Sequence, residues 1–150
     1  LAFEGETGPY LLYAVVRINS IFRKLAEKNR AVEFTLTDDE INELLATKDD
    51  KGWDGNYLWS LIYFASRFPD VVRMSINSLE PTHLAKYSHQ LASSFNNFYN
   101  LKKDGKVAIY KIVDEQDPKR YQLLVAIAGY VRQQLEQALW ILGIEVPEKM

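Results

Sequence analysis

The sequence predicts an all-α fold, a single bundle of about five or six helices in one domain. Three observations carry this. Apolar residues recur at three- and four-residue spacing over long stretches, helix-start and helix-stop signals bracket those stretches, and the connections between them are short. At 150 residues the chain is about one domain and long enough to bury a core without disulfides. It shows no internal repeat or low-complexity tract.

The first helix begins near Pro9, whose missing N–H costs nothing in a first turn. Leu11, Ala14, Val15, Ile18, Ile21, Phe22 and Leu25 then lay an apolar stripe along one side. Thr37-Asp38-Asp39-Glu40 has the pattern of a capping box and opens a short helix to about Ala46. Residues 48–55 are polar and glycine-containing, which reads as a loop. The stretch 57–68 is apolar on nearly every side, as in a buried helix stopped by Pro69, and 71–79 resumes as a further short helix. Glu80-Pro81 starts a helix whose inward stripe is Leu84, Tyr87, Leu91, Phe95 and Phe98. Residues 100–116 break the pattern, and a loose alternation predicts a short extended or hairpin piece near 106–112. Asp117-Pro118 starts the longest pattern, 121–142, which Gly143 closes in left-handed backbone. Its first half is apolar on both flanks, which makes it the central helix.

Composition narrows the function. With no cysteine, disulfides, thiolate metal sites and a cysteine nucleophile are excluded. No apolar run reaches the length of a membrane span and no secretory leader is present, so no membrane association is expected. The chain begins at Leu1 rather than methionine, which reads as a piece of a longer protein. A net charge of −2 argues against a strongly basic, sequence-blind nucleic-acid binder. The charge is uneven, however: residues 17–30 carry five basic side chains and one acid, whereas 37–50 carry six acids and one lysine. A basic face and an acidic face are expected.

No catalytic constellation emerges. His83 and His89 are six residues apart and project differently from a helix, so a shared metal is not expected. Asp38, Asp39 and Glu40 are explained by their place at a helix start. No phosphate loop, nucleophile elbow or zinc-binding pattern is present. On the first helix, Tyr10, Tyr13, Arg17 and Lys24 fall in a sector of about 60° beside the apolar stripe. Two rings beside two cations can hold unpaired bases, the rings stacking and the cations meeting phosphates. The same spacing also fits tyrosines that border the core with their hydroxyls in water. Tyr99, at the end of the second long stripe beside Lys102 and Lys103, poses the same alternative. Trp53, Trp59 and Trp140 read as packing residues.

Three motifs in order carry a family resemblance. The first comprises Phe3, Glu4, Gly5, Thr7, Tyr10, Tyr13, Ala14, Arg17, Ser20, Ile21, Arg23 and Lys24. The second comprises Glu80, Pro81, Leu84, Ala85, Tyr87, Leu91, Ala92, Phe95, Asn96, Phe98 and Tyr99. The third is the ending Leu142-Gly143-Ile144-Glu145-Val146-Pro147-Glu148-Lys149-Met150. Together they resemble the carboxy-terminal, DALR-type anticodon-binding domain of arginyl-tRNA synthetases.

The resemblance implies an all-helical domain over residues 1–150 that holds the anticodon stem-loop of tRNA(Arg). It would follow an upstream catalytic domain that uses ATP and Mg to join arginine to the tRNA. By motif position Tyr13, Arg17, Tyr99 and Met150 lie near the anticodon loop, with Tyr10, Lys24 and Asn96 as further RNA-facing candidates. The catalytic motifs of such enzymes, of the His-Ile-Gly-His and Lys-Met-Ser-Lys-Ser types, are absent, so this stretch carries no catalytic site or cofactor of its own. A monomeric, cytoplasmic parent is implied. Leu12 stands where the family commonly has Gln, and Gln137-Ala138 where Asn-Gly is common. The alternative from another class is a helical protein–protein interaction module that retains the fold, its tyrosines forming an apolar docking patch.

Overall fold

The first apolar stripe is buried as its spacing predicts: Leu11, Ala14, Val15, Ile18, Ile21 and Leu25 are closed to solvent along α1 (Thr7–Glu27). A computed structural model describes residues 7–147. Among them are α2 (Asp38–Ala46), α3 (Gly55–Ser66), α4 (Phe68–Ser78), α5 (Thr82–Asn100), a hairpin of β1 (Lys102–Lys103) and β2 (Val107–Ala108), and α6 (Pro118–Ile141). Six helices and a minimal antiparallel sheet make the fold all-α, as expected.

The helix boundaries follow local chemistry. The capping box forms: the Glu40 N–H donates to Thr37 Oγ1 at 3.2 Å, and the Thr37 N–H donates to Glu40 Oε2 at 2.9 Å. Asp117 caps α6 by accepting from the N–H groups of Lys119 and Arg120, both at 3.0 Å. Gly143, at φ 74°, lies just past the end of α6. Pro69 does more than stop a helix. α3 ends at Ser66, and Pro69 lies in the first turn of α4, which therefore starts three residues earlier than the expected 71. The extended piece is a hairpin whose second strand falls within 106–112, while its first strand lies upstream at Lys102–Lys103. Asp104 and Gly105 have φ values of 54° and 70°, and Lys106 N–H donates to Lys103 O at 3.0 Å. Such a two-residue Asp-Gly turn matches the twist of the flanking strands.

α6 is the central helix. Leu124, Ala128, Val131, Leu135 and Ala138 are buried, and α1, α3 and α5 all pack against it. α1 runs antiparallel to it: Arg30 lies over the Tyr121 ring near the α6 N-terminus, while Arg132 reaches back to Asn19 and Phe22. α5 runs alongside α1 in the same direction, with Tyr10 beside His89 and Arg17 beside Asn96.

Tyr110 joins the hairpin region to α3. It is buried, stacks on Phe98 at 5.0 Å and accepts a hydrogen bond from the Asp54 N–H at 3.1 Å. Burial pushes its hydroxyl up to about 12. Trp53 is buried as expected, and its indole N–H donates to Leu44 O at 3.0 Å.

Two expectations are overturned. α3 is not enclosed: Leu58, Leu61 and Ala65 are buried, but Trp59 and Tyr63 stand more than half exposed. Trp140 is 82% exposed at the α6 end, so neither Trp59 nor Trp140 is a core residue. The apolar composition of α3 and α6 was not matched by partners on every side. Part of the charge in the two uneven segments is met by partners elsewhere in the chain. Lys28 pairs with Asp114, Arg30 donates to Val113 O and Glu115 O, and α2-side acids Glu40 and Asp49 pair with Lys119 and Arg120. Among the described residues, no helix is long and apolar enough to cross a membrane.

Two stability predictions follow from this packing. The Gly55 N–H donates to Thr47 O at 2.8 Å, and a Cβ at Gly55 would overlap the Leu45 carbonyl of α2. Backbone cannot move aside as a flexible side chain can, so Gly55→Ala is expected to destabilise the fold by about 3 kcal/mol or more in urea unfolding; an unchanged midpoint would contradict the close approach. For Tyr110, the unfolded phenol ionises near 10 while the folded one keeps its proton to about 12. Its contribution is therefore whole below pH 10 and is lost as pH rises from 10 to about 12, by about 3 kcal/mol. Denaturant melts at stepped alkaline pH should show this decline, and Tyr110→Phe should make it shallower.

Candidate nucleic-acid interface

Tyr10, Tyr13, Arg17 and Lys24 are spaced three, four and seven residues apart, so they share one side of α1. That side flanks α5, and the two helices form a groove. From α5, Asn96 and Tyr99 meet Arg17, whose Nη1 donates to Asn96 Oδ1 at 3.1 Å and whose Cζ lies 5.3 Å from the Tyr99 ring centroid. The Tyr99 ring is backed in turn by Phe95, nearly parallel to it at 11° with centroids 6.3 Å apart. Phe95 is wholly buried, so Tyr99, itself half-buried, rests on the core with Arg17 lying over its ring.

These contacts fix orientation more than they add stability. An Arg over an exposed aromatic contributes about 0.5–1 kcal/mol, and a hydrogen bond to a charged group about 1.5–3 kcal/mol. Their effect is to hold a half-buried guanidinium and a ring in one relative arrangement before any ligand arrives, which lowers the ordering cost of binding.

Tyr10 closes the other end of the groove. Its ring lies 5.1 Å from that of His89. Hydrogen bonding to the Ser93 side chain, then to Asn96, holds its hydroxyl below the ordinary phenol range; burial opposes this and the charge of Arg17 assists it. Tyr10 against His89 at one end, and Arg17 with Asn96 and Tyr99 at the other, thus join α1 to α5.

The expected residues divide into three groups. Tyr10, Arg17, Asn96 and Tyr99 are brought together. Tyr13 lies between Tyr10 and Arg17 on the same side of α1 and is 55% exposed, leaving its ring open to solvent, and Lys24 is exposed two turns beyond Arg17. Met150 lies outside the described residues. Ser93, His89 and Phe95 complete the groove without having been singled out for it. Ser93 and His89 precede Asn96 by three and seven residues, the spacing that would have placed them on its face.

The chain matches the family described as the DALR anticodon binding domain over residues 11–150. It is 35% identical over 150 residues to arginine–tRNA ligase 1 of Bacillus cereus (strain ZK / E33L). It is 34% identical over 151 aligned residues to the arginine–tRNA ligase of Streptococcus pneumoniae (strain Hungary19A-6). Each comparison takes in the whole of this chain but only 22% of the relative. Among solved structures, the arginyl-tRNA synthetase of Thermus thermophilus superposes with a TM-score of 0.74 at 29% identity, covering 99% of this chain and 22% of that one. Sequence motif, helical architecture and family match agree: this chain belongs to the DALR anticodon-binding domain family.

Proposed function

We propose that this chain is the anticodon-binding domain of an arginine–tRNA ligase and holds the anticodon stem-loop of tRNA(Arg) in the groove between α1 and α5. The observation that carries this is Arg17, tied at once to Asn96 and to the Tyr99 ring across two helices. Unpaired bases are recognised by stacking on aromatic rings and guanidinium planes, with hydrogen bonds to their edges. Tyr13 and Tyr99 are the stacking rings in this reading, Arg17 the cation between them, and Asn96 the residue that orients Arg17. Tyr10 sets the floor of the groove, Lys24 meets backbone phosphate, and Met150 closes over a splayed base.

The relatives are more than four times longer than this chain, which supports a parent in which an upstream catalytic domain joins arginine to tRNA with ATP and Mg. Within that division of labour these 150 residues recognise RNA and perform no chemistry. A monomeric, cytoplasmic enzyme fits the same reading.

Binding of a labelled tRNA(Arg) anticodon stem-loop at low salt tests it, beside a loop with the central anticodon base changed. The native loop should bind more tightly. Tyr13→Ala and Arg17→Ala should each reduce that preference by about tenfold, since a lost stack is worth roughly 1–3 kcal/mol. Equal affinity for both loops, unmoved by either substitution, would overturn anticodon recognition. Binding of a protein partner at the same tyrosines, indifferent to salt, would favour an interaction module instead.

A further inference from the structure

The hairpin that follows α5 carries a concentration of charge that the groove does not use. Residues 101–111 contain four lysines, Lys102, Lys103, Lys106 and Lys111, and one acid, Asp104. All four are exposed. Among the described residues none of them forms an ion pair, whereas Lys28, Arg73, Lys119, Arg120 and Arg132 all do. In a chain of net charge −2, these are four cations without an ion pair gathered in one place.

The backbone holds them in position. Lys102 pairs with Ala108 and Lys103 with Val107, and the Asp104-Gly105 turn closes the ladder. Successive residues of a strand point to opposite faces, so Lys102 and Lys103 present charge on both sides of the hairpin. Beneath it lies a cleft of about 720 Å³ bordered by Lys103, Lys106 and Lys111. Five acids also border this cleft: Asp49 accepts from Arg120 and from the Trp53 and Lys51 N–H groups, Asp117 from the first N–H groups of α6 and Glu115 from the Gln116 N–H, while Asp50 and Asp104 form no ion pair among the described residues. Burial raises the Asp49 carboxyl, but those partners together keep it below its ordinary value, so its charge is already matched.

Lys102 is three residues from Tyr99, a chain span of at most about 10 Å. We propose that the hairpin is a phosphate-binding arm in which Lys102, Lys103 and Lys106 neutralise RNA backbone phosphates next to the nucleotide held at Tyr99. This rests on the anticodon reading of the groove and adds to it a division of roles. Lysine is a compact point charge on a flexible stem, suited to phosphates and poor at reading base edges. The groove therefore discriminates between loops, and the hairpin supplies attraction that is blind to sequence.

Salt dependence tests this with the same labelled stem-loop and its base-changed counterpart. Each phosphate neutralised contributes about 0.7–0.9 to the slope of log affinity against log salt. Replacing the three lysines together (K102A, K103A, K106A) should lower the slope by about 2 and weaken both loops by the same factor, leaving their ratio unchanged. The corresponding triple arginine variant should keep the wild-type slope, which separates charge from folding. An unchanged slope in the alanine variant overturns the proposal, and so does a collapse of the loop ratio, which would make the hairpin a reader of bases. Failure of the groove reading is distinct. It would leave the ratio insensitive to Tyr13→Ala and Arg17→Ala whether or not the hairpin slope falls.

Discussion

The structure depends on the need to cover α6. Its buried side chains span an arc of about 200° around the helix at about 100° per residue, wider than one partner covers, and α1, α3 and α5 together close over it. Burying a Leu, Ile or Val side chain contributes roughly 1.5–3 kcal/mol, and α1 and α5 bury many against this core. The contacts across the groove are smaller, about 0.5–1 kcal/mol for Arg17 over Tyr99. The core therefore decides that α1 lies beside α5, and the groove inherits that placement.

What the groove contributes is order. Tyr99 rests on Phe95, Arg17 is held by Asn96, and Tyr10 packs against His89. Tyr13, by contrast, projects into solvent from the same side of α1. In the proposed anticodon reading, a ring held on the core and a free ring beside it would suit the capture of a flexible loop. The hairpin lysines extend this surface with charge held on a defined backbone.

Much of the fold was legible because local chemistry and tertiary packing agreed. The stripes of α1 and α5, the Thr37 capping box and the Asp117 cap each lie where residue spacing placed them. The disagreements arose where burial depends on a partner that local sequence does not name. Trp59 and Tyr63 occur in an apolar stretch, but among the described residues their side of α3 meets no covering helix; Trp140 falls on the side of α6 that carries the exposed Gln133, Glu136 and Gln137, while its neighbours Ala138 and Leu139 are buried. The loose alternation over 106–112 pointed to a short extended or hairpin piece there, and only the second strand lies in it; the first strand, Lys102–Lys103, precedes the Asp104-Gly105 turn. At the site, periodicity gathered Tyr10, Tyr13, Arg17 and Lys24 on one side of α1. It had no means of showing that Asn96, 79 residues away, would receive the Arg17 hydrogen bond. The motif resemblance supplied Asn96 and Tyr99; Ser93 and His89 became visible only once α5 was laid against α1.

The most direct test of the central claim is a backbone amide chemical-shift map of this chain as the tRNA(Arg) anticodon stem-loop is added. Shifts concentrated at Tyr10, Tyr13, Arg17, Asn96 and Tyr99, with α2 and α4 quiet, are the predicted result. Shifts confined to the α3 face around Trp59 and Tyr63, with the α1/α5 groove silent, would contradict it.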